Sequence, residues 1–242
     1  MSTATDSFYE RRFNTGGLDE ERVRRCLRIF QRFPCKTVLD VGCADGEITA
    51  AIQTVTRARE AYGVEIAAPA VAMARERGIK AVQIDVNHAD LPFDREFFDG
   101  VYCGEIIEHL FDPGHLLREI RRVLKPGGIC VLTTPNLAGW PNRIALFLGY
   151  QPFPTAVSPN HEWAGKLLLK SEEGQWGHIR VFTLRALEEL VALHNLSILS
   201  VEGCPVTINT RHWSAGVITR IDRWLARFPA VANRVILVLR KP

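Results

Sequence analysis

Thr37-Val38-Leu39-Asp40-Val41-Gly42-Cys43-Ala44-Asp45-Gly46 joins a short aliphatic run to a glycine-bearing turn. A run this short, with no polar alternation, predicts a strand buried on both faces. Glycine in the turn lets the backbone approach a ligand closely. Open α/β sheets bind ligands at the carboxyl ends of their strands. The spacing Gly42-x-x-x-Gly46 differs from the GxGxxG that cradles a pyrophosphate. Asp40 before the turn and Asp45 within it would repel a pyrophosphate but can hold an amino group. The turn is therefore either purely structural or a site for a cationic or zwitterionic ligand, and the second is the expectation.

Outward from this turn, short β-rich runs alternate with helical ones. Residues 47–54 suit a short helix, 61–66 (AYGVEI) a second strand, and 69–77 (PAVAMARER) a helix with proline near its start and Gly78 at its end. Residues 81–86 (AVQIDV) and 98–104 (FDGVYCG) predict a third and a fourth strand. Residues 115–124 form an amphipathic helix stopped by Lys125-Pro126-Gly127-Gly128, and 128–134 (GICVLTT) a fifth strand. Strands joined by helical crossovers imply a mostly parallel, doubly wound α/β sheet. The rhythm breaks after Pro135-Asn136, and a long aperiodic segment inside a compact domain is usually a lid or binding segment. A helix at 184–194, strands at 197–201 and 233–239, and a helix with a basic patch at 215–228 follow. The expected organisation is one domain over 1–242: an N-terminal helical arm (1–36), a ligand-binding core (37–136), a cap insertion (137–180) and a segment completing the sheet (181–242).

The chain has 242 residues, 47% apolar and 24% charged, enough for one domain with a sizeable core. A net charge of +3 is too small to imply nucleic acid or an acidic membrane by itself, although arginine gathers at Arg22, Arg24, Arg25 and Arg28 and again at Arg220, Arg223 and Arg227. The six cysteines form no CxxC pair and no zinc-spaced cluster, so a reduced, cytoplasmic protein is expected. The opening MSTATDSFYERRF lacks the apolar stretch of a signal peptide, and no run approaches the roughly 18–20 apolar residues of a membrane span.

Two further carboxylates support a ligand site. Glu65 ends the second predicted strand, where an acid accepts both hydroxyls of a ribose in nucleoside-binding folds. Otherwise it is a solvated strand end. Asp85 ends the third, placed to accept from an adenine amino group or to serve as a turn aspartate before Asn87.

As an ordered set these segments resemble the class I S-adenosylmethionine-dependent methyltransferases. DVGCADG (40–46) is similar to their first motif, with Ala44 where the family often has glycine; GVEI (63–66) is similar to the second and QIDV (83–86) to the third. Leu91-Pro92-Phe93, FFDGVYCGEIIEHL (97–110) and LLREIRRVLKPGGICVLTTPN (116–136) resemble the later motifs of the small-molecule branch, which includes the ubiquinone-biosynthesis O-methyltransferases. The likeness is strong over 37–136 and weaker over 178–200. It implies a seven-stranded Rossmann-like sheet with the last two strands antiparallel and a helical cap after the fifth strand. It implies S-adenosyl-L-methionine as cofactor and S-adenosyl-L-homocysteine as product. Asp40, Gly42, Ala44 and Gly46 would cradle the methionine portion, Glu65 and Ile66 the ribose, and Asp85 and Val86 the adenine. Gly104 and Glu105 would close over the cofactor, and Tyr9 would cover its methionine end, unless it is a packing aromatic of the arm.

Glu105-Ile106-Ile107-Glu108-His109 follows the fourth predicted strand, beside the expected methyl donor. His109 is expected as the base or acceptor-positioning group, because imidazole titrates near working pH. Two alternatives stand beside it: a structural histidine, or a metal site. EIIEH also resembles the metal-binding stretch of small-RNA 2′-O-methyltransferases, in which Glu105, Glu108, His109 and His178 would be the ligands. No metal is expected. His161 and His178 are the next candidates for a base. The acceptor is expected to be a small molecule, an oxygen of a lipid-like, aromatic or glycosyl metabolite, with no nucleic acid. An RNA-end methyltransferase and a silent cofactor-binding partner subunit are the alternatives. The apolar segment 140–150 either lines an acceptor pocket or packs on the sheet, and the helix at 215–228 is either a packed helix or a peripheral membrane contact.

Overall fold

The computed structural model describes residues 17–18, 20–158, 161, 163–167, 177–206 and 215–242. Tyr9 and Trp213 lie outside the described residues. Helix α1 (Glu21–Phe30) lays Val23, Cys26, Ile29 and Phe30 against the sheet, and Glu21 in its first turn pairs with Arg25 at 2.8 Å. The aliphatic run of the first motif is β1 (Thr37–Val41), buried along four of its five residues. Its helical continuation α2 (Glu47–Thr56) leads to β2 (Glu60–Glu65), then α3 (Ala68–Glu76) and β3 (Lys80–Gln83). After β4 (Phe98–Gly104) come a single 3-10 turn (Ile107–His109), α4 (Pro113–Val123) and β5 (Leu124–Pro135). Helices α5 (Trp140–Phe147) and α6 (Leu184–Leu193), strand β6 (Ser197–Cys204), α7 (Ala215–Leu225) and β7 (Arg234–Arg240) complete the described chain.

The strands form one seven-stranded sheet in the order β3-β2-β1-β4-β5-β7-β6. Strands β1 to β5 are parallel. One face is covered by Leu116, Leu117 and Ile120 of α4 and Leu187 and Val191 of α6. The other is covered by Cys26, Ile29 and Phe30 of α1, Ile52 of α2, and Val71 and Ala74 of α3. This is the doubly wound arrangement that the alternation of strand and helix predicts.

Three details correct the sequence reading. The third strand stops at Gln83 rather than running to 86, so Asp85 lies beyond it. Asp85 accepts a hydrogen bond from the Asn87 backbone at 2.9 Å and pairs with His88 at 2.7 Å, a local turn that competes with the ladder. The fifth strand starts at Leu124, and its register with β4 shifts between Phe98 and Gly100, where Gly127 (φ +77) bulges out. The last two strands do pair antiparallel with each other, but only β7 runs against the sheet. Both Pro135 of β5 and Cys204 of β6 are partnered by Arg234, the first residue of β7. The connection after β6 thus returns to the end of the sheet it left, and β7 must run back.

Among the described residues the cap segment supplies one eight-residue helix, α5. Its Asn142 and Ala145 are buried, whereas Ile144, Leu146, Phe147 and Leu148 are exposed.

Candidate active site

The sheet grows in both directions from the β1–β4 pair, so the carboxyl ends of these two strands open a crevice. At its floor the chain turns with left-handed backbone at Gly42 (φ +78), Ala44 (φ +46) and Gly46 (φ +81). A side chain on Gly42 would collide with Ile106, which lies directly over it. Ala44 adopts the same region with a Cβ, a strain that is tolerated where surrounding contacts enforce it. Glu65 provides that enforcement. Its carboxylate accepts from the Ala44 N–H at 3.1 Å and from the Ile66 and Ala67 N–H groups at 2.8 and 3.0 Å, clamping the turn to the end of β2.

Asp40 ends up 2% exposed beneath this turn. The Thr49 hydroxyl donates to its Oδ2 at 2.6 Å, while Oδ1 is buried with no hydrogen-bond partner. Burial pushes its carboxyl up to about 7; the Thr49 hydrogen bond opposes the rise and the nearby Glu65 charge adds to it. A buried carboxylate oxygen with no partner is costly, and an ammonium group delivered into the crevice would relieve it. Together with a carboxylate at the rim for a diol, this fits a nucleoside carrying an amino-acid tail. Val86 packs on the core, and Asp85 keeps its carboxylate in its own turn on the rim.

The other wall comes from the end of β4. Gly104 leaves room for the Tyr102 hydroxyl, which a Cβ there would strike. Glu105 takes φ +58, the second strained non-glycine residue of the crevice. Arg234 Nε lies 2.9 Å from its carboxylate and the Thr133 hydroxyl donates at 3.0 Å. Burial alone would raise the Glu105 carboxyl, but the Arg234 and Arg22 charges outweigh it and hold it below the usual range. Arg22, itself buried, donates to Tyr102 Oη at 2.6 Å and to Glu20 at 2.7 Å. The sequence reading missed Arg22, Tyr102, Thr133 and Arg234. Tyr102 and Thr133 lie inside β4 and β5, and the two arginines come from a first helix and a last strand whose basic residues look like ordinary surface arginines.

The 3-10 turn after Glu105 presents Glu108 and His109. Glu108 accepts from the Thr134 hydroxyl at 2.9 Å, and its Oε1 is buried with no hydrogen-bond partner. Burial first, then the Glu105 charge, raise its carboxyl well above the usual range. Its carbonyl receives the Ile179 and Arg180 N–H groups at 2.8 and 2.9 Å, which draws the chain around His178 to the turn. The His109 and His178 rings meet edge to face at 5.0 Å. His109 Nδ1 lies 3.1 Å from the Gly177 carbonyl and His178 Nδ1 2.9 Å from the Pro154 carbonyl. A carbonyl only accepts, so each neutral ring carries its proton on Nδ1 and its lone pair on Nε2. Burial lowers the His178 pKa. Donor atoms of Glu108, His109 and His178 all lie within 4.8 Å of one another, as ligands of one ion would. Glu105, fourth in the metal alternative, is turned to Arg234 instead. His161 is exposed against Trp163 and stands apart from this group.

Residues 18–201 match a family model described as a methyltransferase domain. A probable S-adenosylmethionine-dependent methyltransferase of Mycobacterium tuberculosis is 34% identical over 109 residues, covering 45% of this chain and 39% of the relative. The chain thus spans about two fifths of the length of the first curated relatives it matches. A demethylmenaquinone methyltransferase of Staphylococcus carnosus is 30% identical over 78% of this chain and 79% of its own. Among solved structures, an S-adenosylmethionine-dependent methyltransferase of Mesorhizobium loti superposes with a TM-score of 0.61 at 16% identity, covering 93% of this chain and all of that one, a likeness of fold.

Proposed function

Because this chain belongs to the S-adenosylmethionine-dependent methyltransferases, we propose that it transfers the cofactor's methyl group to a small-molecule acceptor, at an oxygen of a lipid-like, aromatic or glycosyl metabolite. S-adenosylmethionine, when bound, supplies a methyl group already activated on a sulfonium. What remains for the protein is to bind, to orient and to manage a proton. Asp40 offers its unpartnered Oδ1 to the ammonium of the methionine tail, and Glu65 takes the ribose hydroxyls while holding the 42–46 turn in shape. Asp85 receives the adenine amino group by turning from His88. Gly104 and Glu105 border the transfer position, and the Arg234–Glu105 pair fixes that wall.

One observation supports the oxygen acceptor: the Gly177 carbonyl 3.1 Å from His109 Nδ1 sets the ring's tautomer and makes Nε2 its basic nitrogen, on the turn that follows β4. An alcohol or phenol held there loses its proton to Nε2 as its oxygen becomes the nucleophile. The name of the Staphylococcus relative, which places a quinone-type molecule at its site, supports a small apolar acceptor. Incubation of the protein with methyl-labelled cofactor and an extract of its source cells, followed by mass spectrometry, tests the reading. A labelled small molecule is expected, and label confined to RNA or protein would overturn it.

A second reading, metal-assisted transfer, is favoured by the grouping of Glu108, His109 and His178 and by the unpartnered Glu108 Oε1. Such a mixed O/N set suits magnesium, manganese or zinc. Activity abolished by EDTA and restored by one of these ions would select it; unchanged activity in EDTA leaves His109 as the base.

A further inference from the structure

Helix α7 carries an apolar stripe on the side where a core helix carries polar residues. Val217, Ile221 and Trp224 recur at helical spacing, and Phe228 continues the line in the turn beyond, its ring 5.6 Å from Trp224. All four are exposed, Trp224 at 55%. The opposite side holds the helix to the molecule. Asp222, 0% exposed, accepts from Trp140 Nε1 of α5 at 2.8 Å, from Asn233 at 2.6 Å and from the Val206 N–H at 2.8 Å. Arg220, Arg223 and Arg227 stand exposed along one flank of the stripe. Helix α5 is fastened beside it, through Trp140 and through Arg143, which donates to the Ala230 carbonyl at 3.3 Å. It too exposes apolar side chains: Ile144, Leu148 and, at 89%, Phe147. Across 136–150 and 215–233 the sequence holds four arginines and a single acid, the buried Asp222.

We propose that α7, with α5 beside it, is the surface by which this protein docks on an anionic lipid bilayer. The inference stands on exposure and charge and does not depend on the acceptor proposed above. An apolar stripe with tryptophan on it and arginines along its flank matches a bilayer boundary. The stripe enters the acyl edge, the indole sits at headgroup level, and the guanidiniums meet lipid phosphates. At eleven residues the helix lies in the interface rather than crossing it. A second copy of the chain is a poorer occupant, because a two-fold contact of stripe on stripe sets arginine beside arginine, and these two segments offer no exposed acid to put between them. A polyanion alone would pair with the arginines and leave the stripe in water.

Co-sedimentation with phosphatidylcholine vesicles, with and without an equal share of phosphatidylglycerol, tests this. Binding is expected only to the anionic vesicles and should weaken with salt. R220Q/R223Q/R227Q should lower the partition coefficient about fivefold per arginine, about a hundredfold in all. W224S/F228S should lose binding while its circular dichroism melt stays close to the wild type. W224F, which keeps the packing, should lose part of the tryptophan quenching that acyl-brominated phosphatidylglycerol produces. Protein left in the supernatant with anionic vesicles, or wild-type binding by both multiple variants, overturns the proposal. So does a self-associated form in sedimentation velocity that W224S/F228S breaks apart.

Discussion

The proposed function assigns the chemistry of the crevice to His109, Glu65 and Asp40. If His109 takes the acceptor's proton, H109A should turn over about 10²–10⁴-fold more slowly, while calorimetry finds its affinity for S-adenosylhomocysteine unchanged. A purely structural histidine would instead lower affinity and melting temperature together. E65A should weaken S-adenosylhomocysteine binding by about 1.5–3 kcal/mol, the range for hydrogen bonds to a charged group. Unchanged affinity in that titration would remove Glu65 from the site. The positions of Asp40 and Glu65 are legible in the sequence because Glu65 is the last residue of a short aliphatic strand and Asp40 the last but one of another, and such strands deliver their carboxyl ends to the ligand edge. Arg22 and Arg234 are not legible. Their partners Tyr102 and Glu105 are far along the chain, and nothing local separates a buried arginine from the exposed ones beside it.

At the scale of elements, the 42–46 turn works because two strands approach it with almost no room. Gly63 of β2 faces Asp40 across the ladder, and a methyl group on it would meet Cys43 Sγ at 2.5 Å. G63A should therefore cost about 1–3 kcal/mol in urea unfolding, the usual range for overpacking, and should weaken cofactor binding by displacing the turn. Wild-type stability in that variant would mean that the turn yields freely. The strands and helices of the core are readable because hydrophobic period and helix-stop signals agree there, as at Lys125-Pro126-Gly127-Gly128. The end of β3 is less so: Asp85 belongs by composition to an apolar run, yet its carboxylate bonds its own turn and ends the strand early. The cap resisted reading for a different reason. Ile144, Leu146 and Phe147 of α5 and Leu148 just after it are exposed, so no buried face imposed a period on them.

For the molecule as a whole, the raised Asp40 carboxyl sets a pH dependence. Its folded pKa, about 7, lies above the ordinary aspartate value of about 3.9. Between those values the folded state binds the proton and the unfolded state does not, so this contribution to stability is complete at low pH and is lost as pH rises toward 7. D40N should flatten that decline in urea or thermal unfolding of the cofactor-free protein. If the ammonium of S-adenosylhomocysteine meets the Asp40 carboxylate as proposed, the stabilisation it gives should grow over the same window in the wild type and not in D40N. An equal ligand-induced shift at pH 5.5 and pH 8 would dissociate Asp40 from the ammonium. The doubly wound topology was open to inference because alternating strands and crossovers leave few alternatives. The direction of β6 was not, since it depends on which end of the sheet the 136–196 connection returns to.

The reversed strand also has a kinetic side. β7 is the last strand along the chain, yet it lies inside the sheet, between β5 and β6. Its pairing with β5 is one of high sequence separation, a kind that is slow to form. Arg234, the residue that steadies Glu105, arrives only with that strand. Competence to bind ligand is therefore expected to appear later than the bulk of the secondary structure in a refolding time course.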